Sequence, residues 1–400
     1  MGYADLSCYG RKEYKTPALD KLASEGIKFT NAYAAAPVCS PTRIGFMTGL
    51  YPAKHQVGLR EPMIPGRDSL IGLSPETPSI GTRLKAAGYE TALIGKWHVG
   101  FINELAPNKN GFDYFFGIRT GAADYISHKG DGGRIDDLYE NESLFHQEGY
   151  LTEMFRDRAI SFINQRHQKP FFLSLMFTAP HWPWQVPGDK PYPDSVRWTA
   201  GGSIETYGKM MQSLDDAVAA VLASLEAAGL SKNTLVIFTS DNGGEKFSDM
   251  GGYQGKKLLL WEGGIRVPAF VRWPGKIEPK STTTQVAITM DWTATILAAA
   301  NGESKSNSTL DGINLLPVLT GKTKAIERTL YWRTTERSKH KAIRMGNWKY
   351  LKDEKGEYLF DLSIDPTEKN NLSEKFPGEF AKLKDVYAKW ESTVLKPLSQ

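Results

Sequence analysis

Three short runs of apolar residues in the N-terminal two thirds of the chain have the length and composition of β-strands. They occupy residues 91–94, 170–177 and 234–239. Almost every position in them is apolar, a pattern typical of strands buried on both faces of a parallel sheet. Segments with the helical spacing of apolar residues lie around them, at 17–25, 79–87, 151–166 and 205–228. This alternation predicts an α/β layered domain.

The pattern changes near residue 311. Three strand-like segments follow, at 329–333, 341–345 and 348–351, with the turn signal Gly346-Asn347 between the last two, and a charged helical segment closes the chain. We therefore predict a large domain over residues 1–322 and a small unit over 323–400, made of an antiparallel sheet with a helix. The segment 100–150 is rich in Gly, Asn and Asp and has weak periodicity, so we expect loops near a binding face there.

Length, charge and cysteine content narrow the class of protein. Four hundred residues exceed what one compact core commonly fills, which agrees with a large and a small unit. The formal net charge is only +4 and no basic block occurs, so we expect no nucleic-acid partner. Two cysteines, Cys8 and Cys39, exclude a disulfide framework. No run is long enough to span a membrane, and the residues after Met1 do not have the pattern of a signal peptide.

Polar and ionisable residues follow each of the three predicted strands. Lys96 and His98 come after the first strand, His181 after the second, and Asp241 and Asn242 after the third. Ligands bind beyond the carboxyl ends of strands in open α/β sheets, so we expect these side chains to share one site. Each alone is weak evidence, because Asn-Gly sequences favour turns and single histidines are more commonly structural. Together they indicate a hydrolase or a metal site.

Cys39 lies just before a predicted helix, since Pro41 suits the first turn of a helix. Unpaired N–H groups at a helix N-terminus favour an anionic ligand. A cysteine in that place can also have a lowered pKa and act as a thiolate nucleophile. Local chemistry therefore leaves a cysteine-thiolate hydrolase open.

The stretch Cys39-Ser40-Pro41-Thr42-Arg43, followed by Thr48-Gly49, resembles the Cys-x-Pro-Ser/Thr/Ala-Arg…Thr-Gly signature of type I sulfatases, in which the cysteine is oxidised to formylglycine. Further family-like blocks occur in the family's order. They are Gly-Lys-Trp-His at 95–98, Ala-Pro-His at 179–181, Ser-Asp-Asn-Gly-Gly at 240–244, Trp-Glu-Gly-Gly-Ile-Arg-Val-Pro at 261–268 and Met-Asp-Trp-Thr-Ala-Thr at 290–295. The resemblance implies an alkaline-phosphatase-like sandwich, with a large, mostly parallel central sheet flanked by helices, and sulfuric ester hydrolysis.

The resemblance also implies roles for the residues that match the family's motifs. Cys39, once converted by a formylglycine-generating enzyme, would attack sulfur. Arg43 and Lys96 would hold the formylglycine and neutralise charge. His98 would take a proton as sulfate is released.

His181 and Lys257 would contact the sulfate ester and support departure of the alcohol, with Lys257 preferred to Lys256 by its distance from the block at 261–268. Asp241 and Asn242 would bind a divalent cation, and Ca²⁺ is expected because carboxylate and amide oxygens are hard ligands.

The sequence departs from the family at its start. The family's first strand ends in an Asp-Asp pair of metal ligands shortly before a Gly-Tyr-like sequence, whereas here Gly2-Tyr3 follow Met1 directly. Asp5 matches a later position that is not a ligand. We expect Met1 to be internal to a longer natural chain, and two of the family's four protein metal ligands to lie outside this sequence. By the same resemblance, the natural protein is expected to be periplasmic or secreted.

Substrate identity is less accessible from the sequence. Residues 117–128 resemble a loop of relatives that act on sulfated amino sugars and aryl sulfates, which makes His128 a candidate for substrate binding. Trp182 could stack on a sugar or aryl ring. We expect a sulfated small molecule or glycan as substrate. Alternatives are a phosphonate or phosphodiester hydrolase of the same superfamily, or an inactive protein that binds sulfated ligands.

Overall fold

The structure is a computed structural model that describes residues 1–193, 196–300 and 310–397. Its helices are α1 Pro17–Ser24, α2 Cys39–Thr48, α3 Ile80–Ala86, α4 Leu151–Ile163, α5 Ile204–Ala227, α6 Glu262–Ile265, α7 Thr289–Ala299, α8 Leu316–Leu319 and α9 Pro377–Glu391. The strands of the large domain are β1 Ile27–Phe29, β2 Ala32–Tyr33, β3 Glu90–Lys96, β4 Tyr114–Ile118, β5 Lys129–Gly130, β6 Ile135–Asp136, β7 Leu138–Glu140, β8 Ser143–Leu144, β9 Phe171–Met176, β10 Val236–Thr239, β11 Ala269–Arg272, β12 Ser281–Thr283 and β13 Ala287–Ile288. The C-terminal strands are β14 Thr329–Arg333, β15 Lys341–Met345, β16 Trp348–Lys352 and β17 Glu357–Asp361.

The central layer consists of two sheets flanked by helices. The first has the order β8-β7-β4-β3-β9, with β3 parallel to both β4 and β9. The second has the order β10-β11-β1-β12 and is mixed. Helices α4 and α5 pack on each other, and α4 packs on the first sheet; Phe116, Phe155 and Met211 belong to the same buried cluster. This arrangement confirms the predicted α/β fold.

A cleft of about 1390 Å³ lies between the edge strands β9 and β10. Both strands contribute their whole length to its walls, and apolar residues of α5 and α7 line it as well. Neither strand is fully buried, although its residues are almost all apolar. Each has a neighbouring strand on one side and the cleft on the other, so both edges present backbone polar groups to it.

The elements that the sequence predicted lie within two or three residues of the observed bounds, but the sequence was wrong in two respects. The segment 100–150, expected to be loops, contains β4, which pairs in the middle of the first sheet. Gly117 interrupts the apolar run of β4, and this break in the apolar pattern is why the strand was not predicted. In addition, β10 was expected in a parallel pairing, but its described partner is the antiparallel β11.

The C-terminal strands β14 to β17 form an antiparallel meander against which α9 packs. A fully buried ion cluster joins this sheet to the large domain. The Lys349 ammonium on β16 lies 2.9 Å from a Glu262 carboxylate oxygen and 2.7 Å from one of Glu368. Glu262 is also paired with Arg266 at 3.2 Å. Within the described ranges, the helices include none that is both long and apolar enough to cross a membrane.

Candidate active site

Cys39 is the first residue of α2 and is buried, so its side chain lies beside the unpaired N–H groups of that helix. Burial opposes ionisation of the thiol, but Lys96, His98 and Lys257 outweigh it and hold the pKa of the Cys39 thiol well below its usual value. A site that stabilises a thiolate in this way favours any anion at the same position.

Strand β3 delivers Lys96 and, two residues later, His98. Burial lowers the pKa of the Lys96 ammonium to about 8. His98 is also buried, and burial lowers the pKa of its imidazole. Its Nε2 donates to the Met63 carbonyl at 3.0 Å, which leaves Nδ1 facing Cys39. The ring is accommodated because Gly121 has no Cβ, which would lie 2.5 Å from His98 Cε1.

Arg43, one turn after Cys39 on α2, connects two strand ends. Its guanidinium donates to Asp241 Oδ2 at 3.1 and 3.2 Å and to the Lys96 carbonyl at 2.6 Å. Burial alone would raise the pKa of Asp241, but Arg43 and Lys96 hold it well below its usual value, so the carboxylate is charged. The next residue, Asn242, is buried, and its Oδ1 has no hydrogen-bond partner among the described residues.

The segment after β9 and a loop before α6 bring His181 and Lys257 together. His181 Nδ1 donates to the Trp182 carbonyl at 2.7 Å, so Nε2 carries the lone pair and accepts from Lys257 Nζ at 2.9 Å. Burial and the charges of Lys257 and Lys96 hold the pKa of His181 well below its usual value, and the imidazole is neutral. Lys256, the alternative considered from the sequence, is exposed.

An acidic residue that sequence reasoning missed lies beside this pair. Glu245 approaches Lys257 at 4.0 Å and accepts from the Trp182 indole N–H at 3.1 Å. The indole ring of Trp182 is 4.3 Å from the imidazole of His181. The available signal was the position of Glu245 directly after the Asp-Asn-Gly-Gly sequence at 241–244.

The structure does not place His128 in this group. His128 lines a separate cavity of about 390 Å³, and its Nε2 donates to the Gly149 carbonyl at 2.8 Å. Most of the remaining residues proposed from the sequence line the large cleft, namely Arg43, Lys96, His181, Trp182, Asp241, Asn242 and Lys257. Cys39 and His98 do not line it but interact with each other and with Lys96. Within the part of the chain that the structure describes, no three His, Cys, Asp or Glu side chains are grouped as metal ligands.

The arrangement has the parts of a site for transfer of an anionic group. Two cations, Lys96 and Lys257, act on the nucleophile position at the helix N-terminus, and Arg43 lies beside Lys96 one turn further along α2. Two neutral imidazoles can exchange protons on its sides. Such a site opposes the negative charge of a transferring group by fixed positive charge.

Comparison with known proteins agrees with this reading. The family model described as Sulfatase matches residues 1–302, and the model described as N-sulphoglucosamine sulphohydrolase, C-terminal, matches residues 251–390. The chain is 31% identical to arylsulfatase J of Mus musculus, with 96% of this chain and 73% of that protein covered. It is 34% identical to N-acetylgalactosamine-6-sulfatase of Rattus norvegicus, with 80% of this chain covered, and it spans 64% of that protein's length. Among solved structures, Ps i-CgsB in complex with k-i-k-neocarrahexaose has a TM-score of 0.88 and 28% identity, over 99% of this chain and 92% of that one.

Proposed function

Since the chain belongs to the sulfatase family of sulfuric ester hydrolases, we propose that it hydrolyses a carbohydrate or aryl sulfate to the alcohol and inorganic sulfate, with Cys39 at the reacting centre. The observation that carries the proposal is the pair of cations that act on Cys39 at the N-terminus of α2, namely Lys96 and Lys257, with Arg43 beside Lys96 one turn further along the helix. A sulfuryl group is negatively charged throughout its transfer. Fixed cations and free N–H groups at that place therefore lower the barrier.

Sulfatases generally use a formylglycine derived from cysteine, whose hydrated aldehyde supplies the hydroxyl that attacks sulfur. We propose that Cys39 undergoes this conversion. His98 faces the same position through Nδ1, and its lowered pKa leaves that nitrogen free to accept a proton. The Met63 carbonyl accepts a hydrogen bond from His98 Nε2, so Nε2 carries the hydrogen and Nδ1 is the nitrogen available to accept a proton.

Lys257 and His181 lie on the side from which the alcohol leaves. The Lys257 ammonium is placed to donate to the ester oxygen as negative charge develops on it. The neutral His181 orients that ammonium by accepting one of its hydrogens at 2.9 Å. His181 is itself oriented by the Trp182 carbonyl.

The family also generally uses Ca²⁺, and the donors present are of the type that this ion binds. Asp241 is held ionised, and the unpartnered Oδ1 of Asn242 is a buried amide oxygen. We propose that these two side chains form part of a Ca²⁺ site, where the ion would add positive charge opposite the sulfuryl group. Calcium takes six to eight oxygen ligands, so Asp241 and Asn242 are expected to share it with other donors.

A carbohydrate sulfate fits the leaving side best. Trp182 offers an aromatic face next to His181, and the Glu245 carboxylate can accept from hydroxyl groups. The rat relative named above is an N-acetylgalactosamine-6-sulfatase, and the solved structure named above holds a neocarrahexaose. We propose that the leaving sugar stacks on Trp182 and donates to Glu245. His128, in its separate cavity, is expected to act only on a more distant part of an extended substrate.

We also propose that the apolar strand expected ahead of Met1 occupies the cleft between β9 and β10. Apolar side chains line both walls, and two open strand edges would gain hydrogen bonds from it. Its carboxyl end would bring further carboxylates towards Asp241. Adding the upstream coding sequence should strengthen Ca²⁺ binding in calorimetric titration. An unchanged affinity would contradict this part of the proposal.

The function is tested with protein co-expressed with a formylglycine-generating enzyme. Mass analysis of the Cys39 peptide reports conversion, and 4-nitrophenyl sulfate and N-acetylgalactosamine 6-sulfate report hydrolysis. Bis(4-nitrophenyl) phosphate and a phenylphosphonate ester serve as matched competitors, and Cys39→Ala as the inactive control. Sulfate turnover that exceeds phosphoester turnover is expected. Converted protein that binds sulfated sugars without hydrolysing them would support the inactive binding protein instead.

A further inference from the structure

A strap of the large domain, residues 60–68, runs between the active site and the C-terminal unit. Its Met63 is buried and bridges two parts of the site through its backbone. The Met63 N–H donates to Ser40 Oγ at 3.2 Å, beside Cys39, and the Met63 carbonyl accepts from His98 Nε2 at 3.0 Å. The position of the Met63 backbone therefore sets both the place and the tautomer of His98.

The strap is held from the other side by the loop between β14 and β15, residues 334–340. Glu61 of the strap accepts from the N–H groups of Thr335 at 2.8 Å and Glu336 at 3.1 Å. In return, Glu336 accepts from the Glu61 N–H at 2.8 Å. Each carboxylate thus binds the backbone of the other segment, and we name this pair of contacts the Glu61–Glu336 clasp. Arg67 adds an ion pair to Glu336 at 2.6 Å.

The clasp is built as a fixed contact. Glu61 is 3% exposed, so it cannot exchange these hydrogen bonds for water without local opening. Asp68, also buried, accepts from the Ile64 N–H at 2.8 Å and closes the strap around Met63. Burial raises the pKa of Glu61 to about 7, and above that pH its carboxylate makes stronger hydrogen bonds than a neutral acceptor, which suits a contact that must hold a backbone in register.

We propose that Glu61 and Glu336 are positioning residues, through which the C-terminal unit holds the Met63 backbone and so keeps the His98 imidazole aimed at Cys39. Neither side chain touches the reacting atoms. The proposal goes beyond the proposed sulfatase function and rests on it only for the kinetic part of the test below. It explains why the loop at 334–340, far away in sequence, bears on the site.

The test uses Glu336→Ala, with Glu336→Gln as the conservative variant that keeps an acceptor for the Glu61 N–H. Arg67→Met is a milder variant at a half-exposed side chain, in case Glu336→Ala does not fold. Arg337→Ala, an exposed side chain in the same loop, is the matched control. Circular dichroism confirms that each protein is folded.

The first readout needs no sulfatase activity. In unconverted protein carrying Cys8→Ser, the alkylation rate of Cys39 by iodoacetamide is measured against pH. When Cys39 ionises, its proton can pass to His98 Nδ1, which then donates to the thiolate. Loss of the clasp should weaken this hydrogen bond and raise the midpoint of the profile by about one pH unit in Glu336→Ala, because a hydrogen bond to an ionised group is comparable with one pKa unit. A smaller rise is expected in Arg67→Met, recovery in Glu336→Gln and no change in Arg337→Ala. If the substitution only made Cys39 more accessible to iodoacetamide, the alkylation rate would rise by the same factor at every pH and the midpoint would not move.

The second readout is the hydrolysis of 4-nitrophenyl sulfate by converted protein. We expect kcat to fall at least about tenfold in Glu336→Ala with little change in KM, as for loss of a group that orients a catalytic residue. Folded Glu336→Ala with an unchanged midpoint and unchanged kcat would overturn the inference. A shifted midpoint in a series where even the parent protein hydrolyses no sulfate would uphold the inference and reject the proposed function.

Discussion

Replacement of Lys257 by methionine tests the leaving side of the site most directly. Methionine keeps most of the volume of lysine and removes its charge. In the parent, the Lys257 ammonium lies 2.9 Å from His181 Nε2, and its side chain is only 11% exposed. Lys256 is exposed, so Lys256→Met changes the same net charge without touching the site.

The expected fall in kcat follows from the proposed role of Lys257 as a donor to the leaving oxygen. Loss of one positioned donor to a developing oxyanion costs about 2.7–4 kcal/mol, or 10²–10³ in kcat. Glu245, 4.0 Å from Lys257, partly offsets its charge, so the lower end of that range is expected. For a sugar sulfate, kcat should therefore fall about 100-fold. 4-Nitrophenolate is a weaker base than a sugar alkoxide and depends less on a proton donor when it leaves, so kcat for 4-nitrophenyl sulfate should fall only about tenfold.

Steady-state kinetics of both variants on N-acetylgalactosamine 6-sulfate and 4-nitrophenyl sulfate make the comparison. Lys256→Met should lie within about twofold of the parent for both, because a solvated surface charge contributes little. The Lys257→Met change should also raise the pKa of His181, since one of the charges that lowers it is gone. A loss confined to KM, or equal losses on the two substrates, would refute the assignment of Lys257 to the leaving oxygen.

Three further perturbations address stability, ionisation and metal binding. Lys349→Met removes the cation shared by two buried carboxylates, of which Glu262 keeps Arg266 and Glu368 keeps no other ion pair among the described residues, and it should lower the free energy of unfolding by about 3–5 kcal/mol in urea denaturation. Lys352→Met on the same strand should cost no more than about 1 kcal/mol, and equal effects would contradict the role of the buried cluster. In unconverted protein near neutral pH, iodoacetamide should label Cys39 and spare Cys8. The reason is that burial raises the pKa of Cys8 to about 12, whereas the pKa of Cys39 is lowered. Preferential labelling of Cys8 in mass spectra would argue against the described electrostatics. Asp241→Asn should weaken Ca²⁺ binding at least about tenfold in calorimetric titration, and unaltered affinity would place the ion elsewhere.

Much of the architecture was accessible from the sequence because its signals are local. Strand β14 and strand β15 were predicted with the bounds that the structure has, since alternating side chains and flanking turns mark them. The placement of Cys39 at a helix start followed from the neighbouring proline. The motifs after β3, β9 and β10 were identified for the same reason, since strand ends in such a layer lie at one edge.

Only the tertiary structure decided how those parts work together. The sequence preferred Lys257 to Lys256 by resemblance alone, and the structure adds the physical reason by placing the Lys257 ammonium on His181, a contact between residues 76 positions apart. The structure also brought Glu245 to Trp182 and the Met63 carbonyl to His98, and neither contact leaves a trace in local spacing. Periodicity and turn residues report what each segment does with its own backbone and with solvent. Which segments meet depends on long-range packing and on the pairing of buried charges, and these exist only once the chain has folded.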